Sequence, residues 1–314
     1  MRQIAIALLA FTMAGGLSFA DDKVELKHAP EYAAGQVIRA VSESKVDQTL
    51  VLAGMNIDTK VESFSATRDT VGETVDGKTK LHGEFEYFIV NLETPIGNFN
   101  FDSGKSEAPN NAPPQLAPLY DLFKATSKAK WVAILNPTPA IESIAFEGNP
   151  FEGLEDSARS EVSPERFQQE YNIMFRRFPD GPVAVGDTWK RTEESQLGNG
   201  QLLRYEREFK YLGPKPESGT TVDLIEMRTL SVQYEIGAGS QFPLKLNSSD
   251  LKVESAEGML SYDRRYHTFT LQTDKVNVVG ALEFSISVNG QEQKLPGELD
   301  LTIETKQTSE PVSQ

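Results

Sequence analysis

The sequence predicts an α+β fold in which an antiparallel, β-rich curved sheet or half-barrel, made of two related halves, carries two or three packed helices. Three observations point there. Many short runs alternate apolar and polar residues, the pattern of a strand with one face on a core. Asp76-Gly77, Asn199-Gly200 and Asn289-Gly290 separate such runs, and these dipeptides favour the two-residue turns of β-hairpins. Two stretches, about 114–129 and 164–178, instead repeat their apolar residues at helical spacing.

Composition narrows the class. Met1-Arg2 is a short basic head, an apolar run starts at Ile4, and Ser18-Phe19-Ala20 forms a small-x-small site before Asp21-Asp22. Residues 1–20 are therefore expected to be a signal peptide, and the mature chain a soluble periplasmic or extracellular protein with no transmembrane segment. A formal net charge of −15 repels nucleic acid and anionic membrane surfaces. The absence of cysteine excludes disulfides, thiol chemistry, cysteine-ligated zinc and the lipid attachment of a lipoprotein. Hydrophobic residues at 39% with 25% charged exclude wholesale disorder.

Gly35 to Glu43 and Val46 to Leu52 read as short strands, followed by Thr59 to Thr70 and Lys78 to Leu92 in an antiparallel meander. Alternation places Leu81, Phe85, Tyr87 and Ile89 on one side of the last strand, with His82, Glu84 and Glu86 on the other. Phe101 to Pro114 is an exposed loop by its turn residues. Leu116, Leu119, Tyr120 and Phe123 then mark one helix face. Trp131 to Leu135 and Ile141 to Phe146 pair around Asn136-Pro137-Thr138-Pro139.

Ser163-Pro164-Glu165 is a helix start: an oxygen-bearing cap, proline at the first position, and an acid near the positive end of the dipole. Phe167, Tyr171, Met174, Phe175 and Phe178 follow at helical spacing. Such a stripe is core more often than the wall of a ligand cavity. Pro179-Asp180-Gly181-Pro182 ends the helix, and Gly186-Asp187 turns into the next strand. Trp189 is expected to be buried against Phe175 or Phe178, with its indole N–H bonded.

Strands are expected at about 186–194, 201–211, 220–230, 231–236, 255–263, 266–279, 282–288 and 298–305. Gly35-Gln36-Val37-Ile38-Arg39 and Gly186-Asp187-Thr188-Trp189-Lys190 share the order glycine, polar, β-branched, large apolar, cation, and each opens a meander. A single domain over 21–305 with halves of about 21–150 and 151–305 follows, with 306–314 a flexible tail.

Local chemistry is sparse. The sequence has no nucleophile elbow, phosphate-cradling loop, dinucleotide fingerprint or paired metal histidines. His28, His82 and His267 stand far apart, and the acid-rich run Glu147 to Glu161 reads as a solvated loop before a cation site. No catalytic, cofactor-binding or metal residue is assigned, and no cofactor is expected.

The exported N-terminus, the Gly35-Gln36 strand entry, Phe101-Asp102-Ser103, Phe178-Pro179 with Val183 to Trp189, and Glu257-Gly258 together resemble an uncharacterised family of exported bacterial proteins, a domain of unknown function. The outline is also similar to the half-barrel carriers of lipoproteins and lipids in the bacterial envelope. The family likeness transfers no catalytic residue. The carrier likeness, with the aromatic stripes, implies an exported non-enzymatic envelope protein that holds a lipid, another apolar ligand or a partner segment. The alternatives are a hydrolase of envelope polymers, with acids converging from distant segments, and a structural or adhesion module.

Overall fold

The computed structural model describes residues 23–28, 32–105, 116–137, 140–155, 158–159, 162–198, 200–217, 220–237, 244–288 and 291–312. The leader 1–20, most of the loop before Pro114, part of the acid run, Asn199 and Asn289-Gly290 lie outside them. The first half contributes β1 (Val37–Leu52), β2 (Met55–Val75), β3 (Lys78–Thr94), β4 (Gly97–Asp102), β5 (Lys130–Leu135) and β6 (Ile141–Phe146). The second contributes β7 (Thr188–Gly198), β8 (Gln201–Glu217), β9 (Thr220–Ile236), β10 (Lys245–Asp263), β11 (Thr268–Val288) and β12 (Gln291–Val312). Two helices are described, α1 (Ala117–Thr126) and α2 (Pro164–Arg176).

The expected α+β class is corrected. All described strands join one 12-stranded sheet in the order β6-β5-β3-β2-β1-β12-β11-β10-β9-β8-β7, with β4 beside β3. The helices have 10 and 13 residues, so the fold is a large, curved, open antiparallel sheet with two attached helices. Several expected strand pairs are single long strands. Gly35–Glu43 and Val46–Leu52 merge into β1 across Ser44-Lys45, because Ser44 pairs with Ser63 and Thr305 on one face while Lys45 reaches Glu62 on the other. Residues 306–312, expected as part of a flexible tail, continue β12 to Val312, which pairs with Val37.

The turns follow their residues. Asp76 and Gly77 take φ of 52° and 78°, the left-handed pair of a two-residue hairpin, and join Val75 to its partner Lys78. The turns opening β1 and β7 are built alike. Gly35 donates to the Val71 carbonyl at 2.8 Å and Gly186 to the Tyr211 carbonyl at 2.8 Å. Val71 returns a bond to the Gln36 carbonyl and Tyr211 to that of Asp187. Gln36 and Asp187 then accept, through their side chains, the N–H of Ala33 and Ala184.

The expected face assignment on β3 breaks at a bulge. A register shift between Ala66 and Thr67, opposite Tyr87 and Phe85, inserts one residue. Leu81 and Phe85 join the inner cluster around Trp131, whereas Tyr87 turns to the other side, against Phe64 and the Asp102 carboxylate.

The sheet curls strongly. Arg207 on β8 lies 2.7 Å from Asp274 on β11, although β9 and β10 separate those strands and three flat strand spacings would span about 14 Å. The bend falls where β9 and β10 pair only over Val222–Met227 and Gly258–Asp263. Two inner clusters result, one around Phe209, Tyr211 and Tyr262 and one around Leu203, Val278 and Phe284.

α2 bridges the two ends of the strand order. Ser163 caps it by accepting from Arg166 N at 3.3 Å, and Pro164 opens it. Asn172 accepts from Ile141 N at 2.7 Å and donates to Ile141 O at 3.1 Å, while Gln168 donates to the Ile141 and Glu142 carbonyls. These side chains cover the free backbone groups of edge strand β6. At the other end Arg191 of β7 donates to the Arg176 and Phe178 carbonyls at 2.8 and 2.6 Å, neutralising the helix C-terminus.

Candidate functional site: a cavity beneath the bridging helix

Between α2 and the inner face of the sheet lies a cavity of about 330 Å³. Phe85 and Trp131 from the sheet and Phe167, Tyr171 and Phe175 from α2 make an aromatic wall. Ser42, Ser65, Thr67, Gln307 and Ser309, from β1, β2 and β12, make a hydroxyl- and amide-bearing floor. The N-terminal segment, anchored by the Val24–Val183 bridge, adds His28 and Tyr32.

The aromatic stripe of α2, expected as core, divides. Phe178 enters the core and stacks on Phe269 at 4.4 Å and 12°. Phe167, Tyr171, Met174 and Phe175 line the cavity, and no residue of α2 is fully buried. The helix therefore roofs the space without filling it.

Asp69 sits on the inner face of β2, between Ile38 of β1 and Gly83 of β3. Its side chain lines the cavity and is 8% exposed. Among the described residues no group hydrogen-bonds its carboxyl, and burial pushes the pKa up to about 7. Burial first, then the nearby Asp69, raises the Tyr171 and Tyr32 phenols. Burial also lowers His28 to about 3, so its imidazole is neutral, packed 4.4 Å from the Phe175 ring. The Trp131 indole N–H lies close enough to Tyr171 to lower that phenol, yet it is buried without a partner in hydrogen-bond geometry.

A buried ionic network flanks the cavity. Arg177, the residue ending α2, holds Glu193 of β7 with two bonds of 2.8 and 2.9 Å and Gln272 of β11 with one of 2.7 Å. Gln272 in turn contacts Met174 of the cavity wall. Arg207 completes the chain, 3.0 Å from Glu193 and 2.7 Å from Asp274. Two cations and two anions thus neutralise one another where the sheet folds over.

Trp189 is half-buried, and its indole N–H donates to the Arg177 carbonyl at 2.7 Å. Its ring partner is Phe209, directly opposite in register and stacked at 5.6 Å and 12°, in place of the expected Phe175 or Phe178. The histidines stay apart. His28 lies in the cavity wall, His82 is exposed on the outer face 3.8 Å from Glu147, and His267 occupies the β10–β11 turn beside Tyr262. Among the described residues no three His, Cys, Asp or Glu gather as metal ligands. Among the described residues two carboxyls line the cavity: Asp69, and Glu170, which is ion-paired with Arg166.

Sequence periodicity found the aromatic wall but missed Asp69. Nothing in Thr67-Arg68-Asp69-Thr70 distinguishes its carboxyl from the charged residues of an outer face. The even spacing of Thr67 and Asp69 along β2 was the signal available.

No family model and no curated protein matches the chain. Among solved structures it is similar to a lipovitellin described for its lipid–protein interactions, at 8% identity over 90% of this chain, with a TM-score of 0.43. The chain spans 26% of that lipovitellin's length. It is similar also to an outer membrane channel from Pseudomonas putida F1, at 7% identity over 91% of this chain and 100% of that one, with a TM-score of 0.25. The translocator domain of the autotransporter NalP from Neisseria meningitidis gives 8% identity, 89% and 90% coverage, and a TM-score of 0.20. At these TM-scores the likenesses carry no inference about function. No helix among the described residues is long and apolar enough to cross a membrane.

Proposed function

We propose that the protein is an exported, non-enzymatic envelope protein that holds an apolar ligand in the cavity between α2 and the curled sheet. The observation that carries this reading is the unfilled space itself. Protein interiors pack close to crystal density, yet the aromatic side chains of α2 stop short of the floor and leave about 330 Å³, within the usual size range of small-molecule sites. Aromatic and aliphatic side chains make up more than half of the lining, with polar groups on the floor and Asp69 at one side, and small-molecule sites combine an apolar lining with polar groups that orient the ligand. The outer face supports a chain that does not span a membrane through its strands. Lys45–Glu62, Lys60–Asp47 and Lys275–Glu304 form charged rungs across β1, β2, β11 and β12, where a lipid-facing band is apolar.

The test is to purify the full-length protein from its own envelope, extract it with organic solvent, and identify the extract by mass spectrometry. An apolar compound near one per chain is expected. A protein that carries nothing, with a ligand-free crystal structure in which side chains fill the cavity, would overturn the proposal.

A further inference from the structure

Asp69 gives the cavity a charge preference. The other strongly buried carboxylates in the sheet have cations beside them. Glu193 is held by Arg177 and Arg207, Asp223 by Arg264, Asp263 by Arg265, and Asp274 by Arg207. Asp69 is as inaccessible as these, at 8% exposed, and among the described residues has neither a cation nor a hydrogen-bond donor. A buried charge without a partner is costly enough that sequences rarely keep one. This one is aimed into a cavity.

We propose that the cavity selects an organic cation, a molecule with an apolar body and a protonated amine, whose ammonium pairs with Asp69 while its body lies against the aromatic wall. The inference rests on the apolar-ligand reading above and adds the chemical class. Tyr32, Trp131 and Tyr171 line the same cavity, and Tyr32 and Tyr171 lie near enough to feel the Asp69 charge; aromatic faces attract a cation. The charge-assisted bond supplies the donor that the protein withholds from Asp69.

Other occupants fit less well. A neutral hydrocarbon would dehydrate Asp69 further and leave it without a donor. A fatty-acid carboxylate would set like charge against like in a low dielectric. A hard metal ion takes six or more oxygen ligands, and although His28 shares the lining with the two acids, among the described residues no three His, Cys, Asp or Glu gather closely enough to hold one. The same logic holds for a partner segment only if it carries a lysine or a free N-terminus.

The experiment is calorimetric titration at pH 8 of the intact mature protein, wild type and Asp69→Asn, with octylamine, octanol and octanoate, three probes that share one tail. Octylamine is expected to bind wild type about tenfold or more tightly than octanol, with octanoate weakest. In Asp69→Asn the amine and the alcohol should bind within about threefold of each other, with alcohol affinity retained. Asp69→Ser serves as a second variant if the asparagine chain does not fold. Octanol binding wild type as tightly as octylamine, or an amine preference that survives Asp69→Asn, overturns charge selection and leaves apolar binding standing. If none of the three probes binds wild type, the apolar-ligand proposal falls with it.

Discussion

Gly83 of β3 pairs directly with Trp131 of β5, and the Trp131 indole occupies the space that a Cβ on residue 83 would need. Trp131 is 1% exposed and edges against Phe85 at 5.3 Å, so it can yield only toward the cavity. A glycine inside a strand ordinarily weakens it; here it makes room for an aromatic ring that forms part of the cavity wall. Gly83→Ala is expected to destabilise the fold by about 1–3 kcal/mol through overpacking, seen as a lower midpoint in urea with an unchanged slope.

Asp69 should act against stability near neutral pH. Burial raises its folded pKa to about 7 from the ordinary aspartate value of 3.8, so the folded state holds the proton more tightly than the unfolded chain. The contribution is fully present below about pH 4 and is lost as pH rises to about 7. The loss approaches about 4 kcal/mol by the conversion of pKa shift to free energy. Asp69→Asn is expected to raise the melting temperature at pH 8 and to change it little at pH 4, in thermal scans of the ligand-free protein. A purely structural aspartate would give the opposite sign at pH 8.

Glu193 stands between two guanidinium groups, and Glu193→Gln leaves Arg177 and Arg207 facing each other with one acid, Asp274, in reach. A loss of about 3–5 kcal/mol is expected, as when one partner of a buried pair is removed. Because Arg207 and Glu193 are 6% and 4% exposed at the side chain, added salt should recover little of it. Chemical denaturation at low and high salt measures both.

The bond set between α2 and β6 keeps the sheet edge covered. In the double variant Gln168→Ala with Asn172→Ala, the Ile141 N–H loses its acceptor and the Ile141 and Glu142 carbonyls lose their side-chain donors. The Ile141 amide is expected to exchange with solvent at least tenfold faster than in wild type, since a lost buried bond is worth about 1–3 kcal/mol. Hydrogen-exchange mass spectrometry of the peptide carrying β6 reads this directly.

Much of the architecture was legible in the sequence, for identifiable reasons. Ser163-Pro164 placed the start of α2, and Asp76-Gly77 placed a hairpin whose two residues both adopt positive φ. The shared pattern at Gly35 and Gly186 marked turns with the same hydrogen bonds. Strand length was not legible. Breaks were read at polar residues such as Ser44, where the inner face of the long sheet is itself polar and pairing continues. The bulge at Ala66-Thr67 reversed Tyr87, because alternation has no means of marking an inserted residue. The cavity was half visible: helical spacing showed the aromatic face of α2, but whether that face meets another side chain or empty space depends on the sheet's curl.

The space beneath α2, proposed to take an apolar molecule, has a built-in reporter. Trp131 lines the cavity, and Trp189, the chain's other tryptophan, lies on the far side of the α2 C-terminus against Phe209. In a Trp189→Phe background, Trp131 emission should shift saturably as octylamine is added, and Ser65→Phe, which fills the floor opposite, should abolish the shift while the protein stays folded. A flat titration in the Trp189→Phe protein, or an identical saturable response after Ser65→Phe, would contradict the account.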